Sequence, residues 1–289
     1  MSKQNTTRIG WIGLGQMGVP MVTRLLDHGI ETGIFNRSPD KGAALLEKGA
    51  KPYTDAAALL RDYDTVVLMV SDYAAVNEIV EGVKGGLAGK TIVNMSTIAP
   101  SENLKIKALV EANGGRFAEA PVSGSVVPAT NGTLLILFGG DADVLAPLQN
   151  VFAAMGQRTF HFGGVGKGSG AKLVLNSLLG IFGEAYAEAM LMGEAFGIDL
   201  NELAEAVGGS AMNSPMFQTK KPLLLNKEFP AAFMLKHAAK DLKLAVGELS
   251  AAGASVPAVE LVSQNYTAAA EAGLGGEDVA GIYRYLAKC

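Results

Sequence analysis

The fold turns on one stretch near the start of the chain, Arg8-Ile9-Gly10-Trp11-Ile12-Gly13-Leu14-Gly15-Gln16-Met17-Gly18, and on the Val19-Pro20-Met21-Val22-Thr23-Arg24-Leu25-Leu26 that follows. The apolar run over residues 8–13 reads as a strand, and residues 17–28 carry apolar side chains at helical spacing. Between them, Gly13, Gly15 and Gly18 form G-x-G-x-x-G. In that setting the first glycine permits a tight turn, the second lets backbone approach a pyrophosphate, and the third lets helix and strand pack closely. The helix N-terminus adds unpaired N–H groups and the positive end of its dipole. Gly13, Leu14, Gly15, Gln16, Met17 and Gly18 are therefore the expected phosphate loop of a dinucleotide site.

The same alternation continues outward. Strands are predicted at residues 31–35, 64–70, 90–95, 116–119, 133–138 and 158–162, with helices at 40–48, 72–81, 101–112 and 141–155. Strand and helix alternating at this spacing argue for βαβ units and a mostly parallel, doubly wound sheet. The run at 64–70 is continuously apolar, as a sheet covered on both faces requires. Beyond Phe162, Gly163–Gly170 reads as a loop, and all that follows reads as helix: 169–196, 200–207, 214–225, 234–252, 257–272 and 277–288. The expected organisation is a dinucleotide-binding α/β domain over 1–165 and an all-α domain over 166–289.

The tip of the second strand speaks to the choice of dinucleotide. NAD sites place an acidic residue about 20 positions after the glycine loop. Here the strand ends Asn36-Arg37-Ser38, with no carboxylate. Arg37 can hold a 2′-phosphate through a charge-assisted fork, with Asn36 and Ser38 as neutral donors, so NADP is the expected cofactor, unless Arg37 is an ordinary surface arginine. Gly89-Lys90-Thr91 looks like the end of another phosphate loop, but Lys84 stands where its first glycine is needed, and a strand follows in place of a helix.

Composition bounds the rest. Of 289 residues, 28 are acidic and 24 basic, for a net charge of −4, which supplies no general attraction to nucleic acid or anionic membrane. Glycine accounts for 36 residues, well above the ordinary ~7%, which places backbone close to something at several points. The lone cysteine, Cys289, allows no internal disulfide and fits a reducing compartment. MSKQNTT at residues 1–7 is polar with no apolar run behind it, so no signal peptide is expected and the cytoplasm is the expected location. The apolar stretch from Lys172 to Ile198 is interrupted by Asn176, Glu184, Glu188 and Glu194, and reads as a buried helix, not a membrane span. His28, His161 and His237 are far apart and lack metal-ligand spacing, so no metal is expected.

Hydride chemistry needs a proton donor beyond the carboxyl ends of the strands. Asn94-Met95-Ser96-Thr97 and Ala120-Pro121-Val122-Ser123-Gly124-Ser125 each follow a predicted strand and offer hydroxyls and N–H groups; each also reads as a plain turn. Lys172 and Asn176 are spaced i, i+4 on the most apolar helix. Lys172 is either partly desolvated, with its pKa drawn toward the range of an acid or base, or a lysine snorkelling to solvent. Lys236 with Lys240, and His237 with Asp241, form i, i+4 pairs that read as a solvated charged face or as a cation and carboxylate at a cleft.

Four segments in order, IGWIGLGQMG at 9–18, EAPVSGS at 119–125, GSGAKLVLN at 168–176 and FMLKHAAKDL at 233–242, closely resemble the β-hydroxyacid dehydrogenase family, which includes 3-hydroxyisobutyrate dehydrogenase, tartronate semialdehyde reductase and glyoxylate/succinic semialdehyde reductase. The resemblance spans essentially the whole chain. It implies a Rossmann-like domain joined by a long helix to an all-helical domain that pairs between subunits, as a homodimer or homotetramer. It implies that Lys172 is the catalytic acid/base, that Asn176 contacts substrate, that Ser123 and Gly124 hold a substrate carboxylate, and that Thr97 lies by nicotinamide and substrate. Phe233 and Asp241 would line or support the site, and Lys240 would approach the cofactor. Val70, Ser71 and Ser96 complete the expected cofactor contacts.

Asn36-Arg37-Ser38 is similar to the NADPH-preferring members. Glu119 and Ser125 depart from the hydroxyisobutyrate form D-A-P-V-S-G-G. Ser125, Pro128-Ala129 and Met212-Asn213-Ser214-Pro215-Met216-Phe217 look more like the glyoxylate/succinic semialdehyde reductase branch. That branch implies reduction of short aldehyde acids. The alternatives are a 3-hydroxyisobutyrate or tartronate semialdehyde enzyme, an imine reductase (which typically lacks the lysine) and a non-catalytic dinucleotide-binding module.

Overall fold

A computed structural model describes residues 8–288; the polar N-terminal stretch and Cys289 lie outside the described residues. Two compact units divide between Lys172 and Leu173.

The first unit is built on six parallel strands: β1 (Ile9–Ile12), β2 (Thr32–Phe35), β3 (Lys51–Pro52), β4 (Thr65–Leu68), β5 (Thr91–Asn94) and β6 (Arg116–Glu119), in spatial order β3-β2-β1-β4-β5-β6. Side chains alternate between two cores. Ile9, Trp11, Val67 and Val93 enter one, while Ile12, Val66, Leu68 and Ile92 enter the other. That double burial explains why these strands read as unbroken apolar runs. The order reverses direction between β1 and β4, so the loops after these strands diverge and open a crevice at the carboxyl edge. A second sheet holds β7 (Val122–Ser123), antiparallel to β8 (Leu134–Phe138), which pairs in parallel with β9 (Gly156–His161).

Several expectations need correction. Val122 and Ser123 are strand, not turn, because they pair with Ile136 and Leu135. The predicted helix at 141–155 is three pieces, Ala142–Leu145, a 3-10 turn Ala146–Leu148 and Gln149–Met155, with Pro147 breaking the ladder. β3 and the helices Ala56–Asp62 and Val126–Asn131 were not read at all. The supposed loop 163–170 is already helical from Lys167.

The helix Lys167–Ala195 contributes its residues through Lys172 to the first unit and the remainder to the second. The second unit adds the helices Leu200–Gly209, Pro215–Asn226, Leu235–Ala251, Pro257–Glu271 and Ile282–Leu286. Their apolar faces meet around Leu235, Leu242, Tyr266 and Ile282. Among the described residues no helix is long and apolar enough to cross a membrane.

Candidate active site

The glycine loop leaves β1 and enters the helix Gly18–Asp27, whose N-terminus has no side-chain cap. Gly13 adopts φ +105°, its carbonyl accepts the Trp11 indole N–H at 2.9 Å, and its N–H donates to Phe35 O at 3.0 Å. A Cβ on Gly18 would stand 2.1 Å from Gly13 O, so both glycines are required by the protein itself. Gly15 differs: a Cβ there would meet nothing within 4 Å. Its bare backbone serves no internal packing, which fits a loop that admits a pyrophosphate. Gln16 is exposed and Met17 partly so.

The N–H of Leu14 donates to Asn36 Oδ1 at 2.9 Å, and Asn36 Nδ2 donates to Ser38 O at 2.9 Å. Asn36 thus ties the phosphate loop to the tip of β2 and shapes the turn that presents the exposed Arg37 and Ser38.

The ends of β4 and β5 are coupled in a similar way. Val70 N–H donates to Ser96 Oγ at 2.9 Å, and Ser96 Oγ reaches Leu68 O at 3.5 Å. Ser96 N–H donates to Asn94 Oδ1 at 3.0 Å, while Asn94 Nδ2 donates to Asn103 Oδ1 at 2.9 Å. The buried Ser96 hydroxyl is therefore used inside the unit, and it sets the backbone from which the exposed Ser71 and half-buried Thr97 project.

Ser123 is half-buried at the end of β7, and Gly124 is exposed with φ +130°. A Cβ on Gly124 would meet Leu134 and Pro128 at 2.8 and 2.9 Å, so only glycine fits this turn. Glu119, fully buried at the end of β6, accepts from Gly166 N–H at 2.8 Å and Ser169 N–H at 2.9 Å, both at Oε1. Its Oε2 accepts the Ser169 hydroxyl at 2.9 Å. Lys172 follows Ser169 by three positions and is only 8% exposed, so it is not a snorkelling surface lysine. Asn176 lies one turn further along the same helix.

In the second unit, Asn176 Nδ2 donates to Asp241 Oδ2 at 2.5 Å, and Lys240 Nζ lies 2.9 Å from Asp241 Oδ1. Asp241 is buried while Lys236 is exposed, so the charged face does not extend to Asp241. Burial, followed by neighbouring Lys236, holds the half-buried His237 below the ordinary imidazole range. Phe233 is fixed by a residue the sequence did not single out. Buried Asp278 accepts its N–H at 3.1 Å and that of Ala232 at 3.1 Å, and pairs with Lys220 at 2.7 Å. Asn94 and Glu119 stand in segments that the sequence marks without giving these two a role, and Asp278 stands in none. The one visible signal was an acidic residue ending an otherwise apolar segment, as Glu119 does. Among the described residues no group of three His, Cys, Asp or Glu stands where it could hold a metal ion.

Comparisons with known proteins agree with this geometry. Residues 8–164 match the family described as the NAD binding domain of 6-phosphogluconate dehydrogenase, and residues 166–286 match that described as NAD-binding of NADP-dependent 3-hydroxyisobutyrate dehydrogenase. The chain is 33% identical to glyoxylate/succinic semialdehyde reductase 1 of Arabidopsis thaliana, over 95% of this chain and 96% of that one. It is 32% identical to the chloroplastic reductase 2 of the same plant, over 97% of this chain and 80% of that one. Among solved structures, 3-hydroxyisobutyrate dehydrogenase of Mycobacterium tuberculosis with L-serine superposes with a TM-score of 0.89 at 27% identity, covering 97% of this chain and 99% of that one. The chain belongs to the β-hydroxyacid dehydrogenase family, whose members are NAD(P)-dependent oxidoreductases.

Proposed function

We propose that this protein reduces short aldehyde acids with NADPH, glyoxylate to glycolate and succinic semialdehyde to 4-hydroxybutyrate. The observation that carries the reading is the near-complete burial of Lys172 on the helix that also presents Asn176, in a chain similar over most of its length to two reductases named for these substrates. A bound reduced nicotinamide supplies the hydride for the carbonyl carbon. The Lys172 ammonium gives a proton to the carbonyl oxygen, so that aldehyde becomes alcohol. Ser123 and the N–H groups around Gly124 hold the substrate carboxylate, and Asn176, oriented by Asp241, holds the reacting end. The family resemblance assigns Thr97 to the side of the nicotinamide and Phe233 to the substrate.

Arg37 takes the 2′-phosphate of NADPH, supported by the exposed turn that Asn36 shapes and by the match to an NADP-dependent family. The family resemblance assigns Lys240 to cofactor contact. Pairing between copies, as a homodimer or homotetramer, is supported by the exposed apolar side chains Val174, Leu178, Phe182, Met192 and Phe196. A single cysteine fits a reducing cytoplasmic setting.

The experiment is NADPH and NADH oxidation against glyoxylate, succinic semialdehyde, tartronate semialdehyde and methylmalonate semialdehyde, with cyclic imines beside them. Preference for the first two with NADPH is the expected result. Preference for methylmalonate semialdehyde or tartronate semialdehyde moves the protein to a neighbouring branch of the family. Turnover of imines alone contradicts the role of Lys172, and tight NADPH binding without turnover of any substrate makes the chain a binding module.

A further inference from the structure

We propose that His237 is a specificity-determining residue: its imidazole donates a hydrogen bond to the remote carboxylate of succinic semialdehyde and so admits aldehyde acids longer than glyoxylate. The inference rests on the reading of the protein as a reductase of both acids. Glyoxylate carries its carboxylate directly on the carbonyl carbon, whereas succinic semialdehyde carries it two methylenes away. With the carbonyl held in one place for hydride transfer, one rigid cradle meets only one of these carboxylates. The longer acid needs a further donor, and an apolar surface for its methylenes.

The second unit offers both at His237. This residue lies one turn before Asp241 on the helix Leu235–Ala251, and Asp241 holds Asn176. Its ring stacks on that of Phe233, with centroids 6.4 Å apart and planes 24° apart. Both side chains are half-buried. The other two histidines use their rings inside the protein: His28 Nδ1 meets Arg24 O at 2.8 Å, and His161 Nε2 meets Gly140 O at 2.8 Å. Among the described residues, neither ring nitrogen of His237 meets a hydrogen-bond partner. A half-buried imidazole in that condition keeps its donor for a group that enters from solvent.

The surroundings favour an anion there. The charges that His237 feels are Lys236 and Lys240 against the single carboxylate of Asp241. That carboxylate is already engaged, by Asn176 at Oδ2 and by Lys240 at Oδ1. Burial, followed by Lys236, holds the imidazole below its ordinary range, so at neutral pH it offers one N–H and carries no charge. This suits a subsite that glyoxylate leaves unused. A half-buried cation without its partner is costly, whereas a neutral donor is readily left to water. The Phe233 ring beside it supplies the apolar face for the two methylenes.

The test compares succinic semialdehyde with glyoxylate, both with NADPH, in the full-length wild type, His237→Leu and His237→Gln. His237→Leu removes the donor. The ratio of kcat/KM for succinic semialdehyde to that for glyoxylate is then expected to fall about tenfold or more, the range of a hydrogen bond to a charged group. The loss should lie in KM, because the bond holds substrate and transition state alike. His237→Gln keeps an N–H and is expected to restore most of the ratio. A folded His237→Leu whose ratio matches the wild type overturns the proposal, and so does a Gln variant no better than Leu. A second arm uses the wild type alone, with NADP+ bound. The 15N imidazole resonances of His237, assigned through its contact with Phe233, are followed as 4-hydroxybutyrate or glycolate is added. They are expected to shift with 4-hydroxybutyrate and to stay in place with glycolate. An equal response to both, or none to either, overturns the proposal. This arm reads binding without turnover, so a wild type that reduces neither acid contradicts the proposed function while the resonances still judge His237.

Discussion

Asn176 Nδ2 donates to Asp241 Oδ2 at 2.5 Å, with both side chains more than nine-tenths buried. A carboxylate only accepts, so this bond fixes which end of the Asn176 amide points away from it. Asp241→Asn removes that constraint along with the ion pair to Lys240. Hydrogen bonds to charged groups contribute about 1.5–3 kcal/mol, so kcat/KM for the aldehyde acid should fall about ten- to hundredfold. Steady-state kinetics check it; a variant within twofold of the wild type would show that Asn176 needs no such holder.

The glycine loop contains two kinds of glycine, and substitution separates them. Gly18→Ala forces a methyl against Gly13 O, an overpacking that costs about 1–3 kcal/mol and lowers Tm. Gly15→Ala meets open space, so Tm should hold while NADPH binding weakens roughly tenfold or more. Thermal unfolding with and without NADPH reads both. Equal loss of Tm in the two variants would assign Gly15 to the protein, not to a ligand.

The proposed preference for NADPH rests on the turn after β2. Arg37→Ala should raise KM for NADPH about tenfold or more, the range of a charge-assisted pair, and leave KM for NADH nearly unchanged. Asn36→Asp turns an oxygen toward Ser38 O, where Asn36 now donates, and should weaken NADPH further. Parallel changes for both dinucleotides would remove Arg37 from phosphate recognition.

Glu184 offers a pH test of stability. It is buried, its Oε1 accepts from Asn265 at 2.7 Å, and its Oε2 has no partner. Burial, with neighbouring Glu188 assisting, raises its pKa above the ordinary carboxylate value. Between the unfolded and folded pKa the unfolded chain has released a proton that the folded chain retains, so stability falls as pH rises through that window. Glu184→Gln should therefore gain Tm over the wild type at pH 8 and show little gain at pH 4. Tm curves that stay parallel from pH 4 to pH 8 would contradict this.

Much of this frame is legible from local pattern. β1, β4 and β5 are buried on both faces and read as apolar runs, and Gly13, Gly15 and Gly18 mark the turn between strand and helix. Lys172 and Asn176 are visible as a spacing. The rest depends on partners distant in the chain. β3 is two residues long, too short for any periodicity. The long helix starts two residues before its expected first turn because its cap comes from Glu119, which no local pattern announces. Asp241 sits in a run of charges that reads as solvated, yet packing against the helix of Asn176 buries it. Asp278 holds Phe233 from 45 residues away.

The central claim is that Lys172 donates the proton. Lys172→Ala, assayed for NADPH oxidation with glyoxylate and succinic semialdehyde beside a direct NADPH-binding measurement, tests it. A positioned proton donor is worth about 10²–10⁴ in rate. The predicted result is turnover down by at least about a hundredfold with NADPH still bound. Near-normal turnover in a folded Lys172→Ala variant would contradict it.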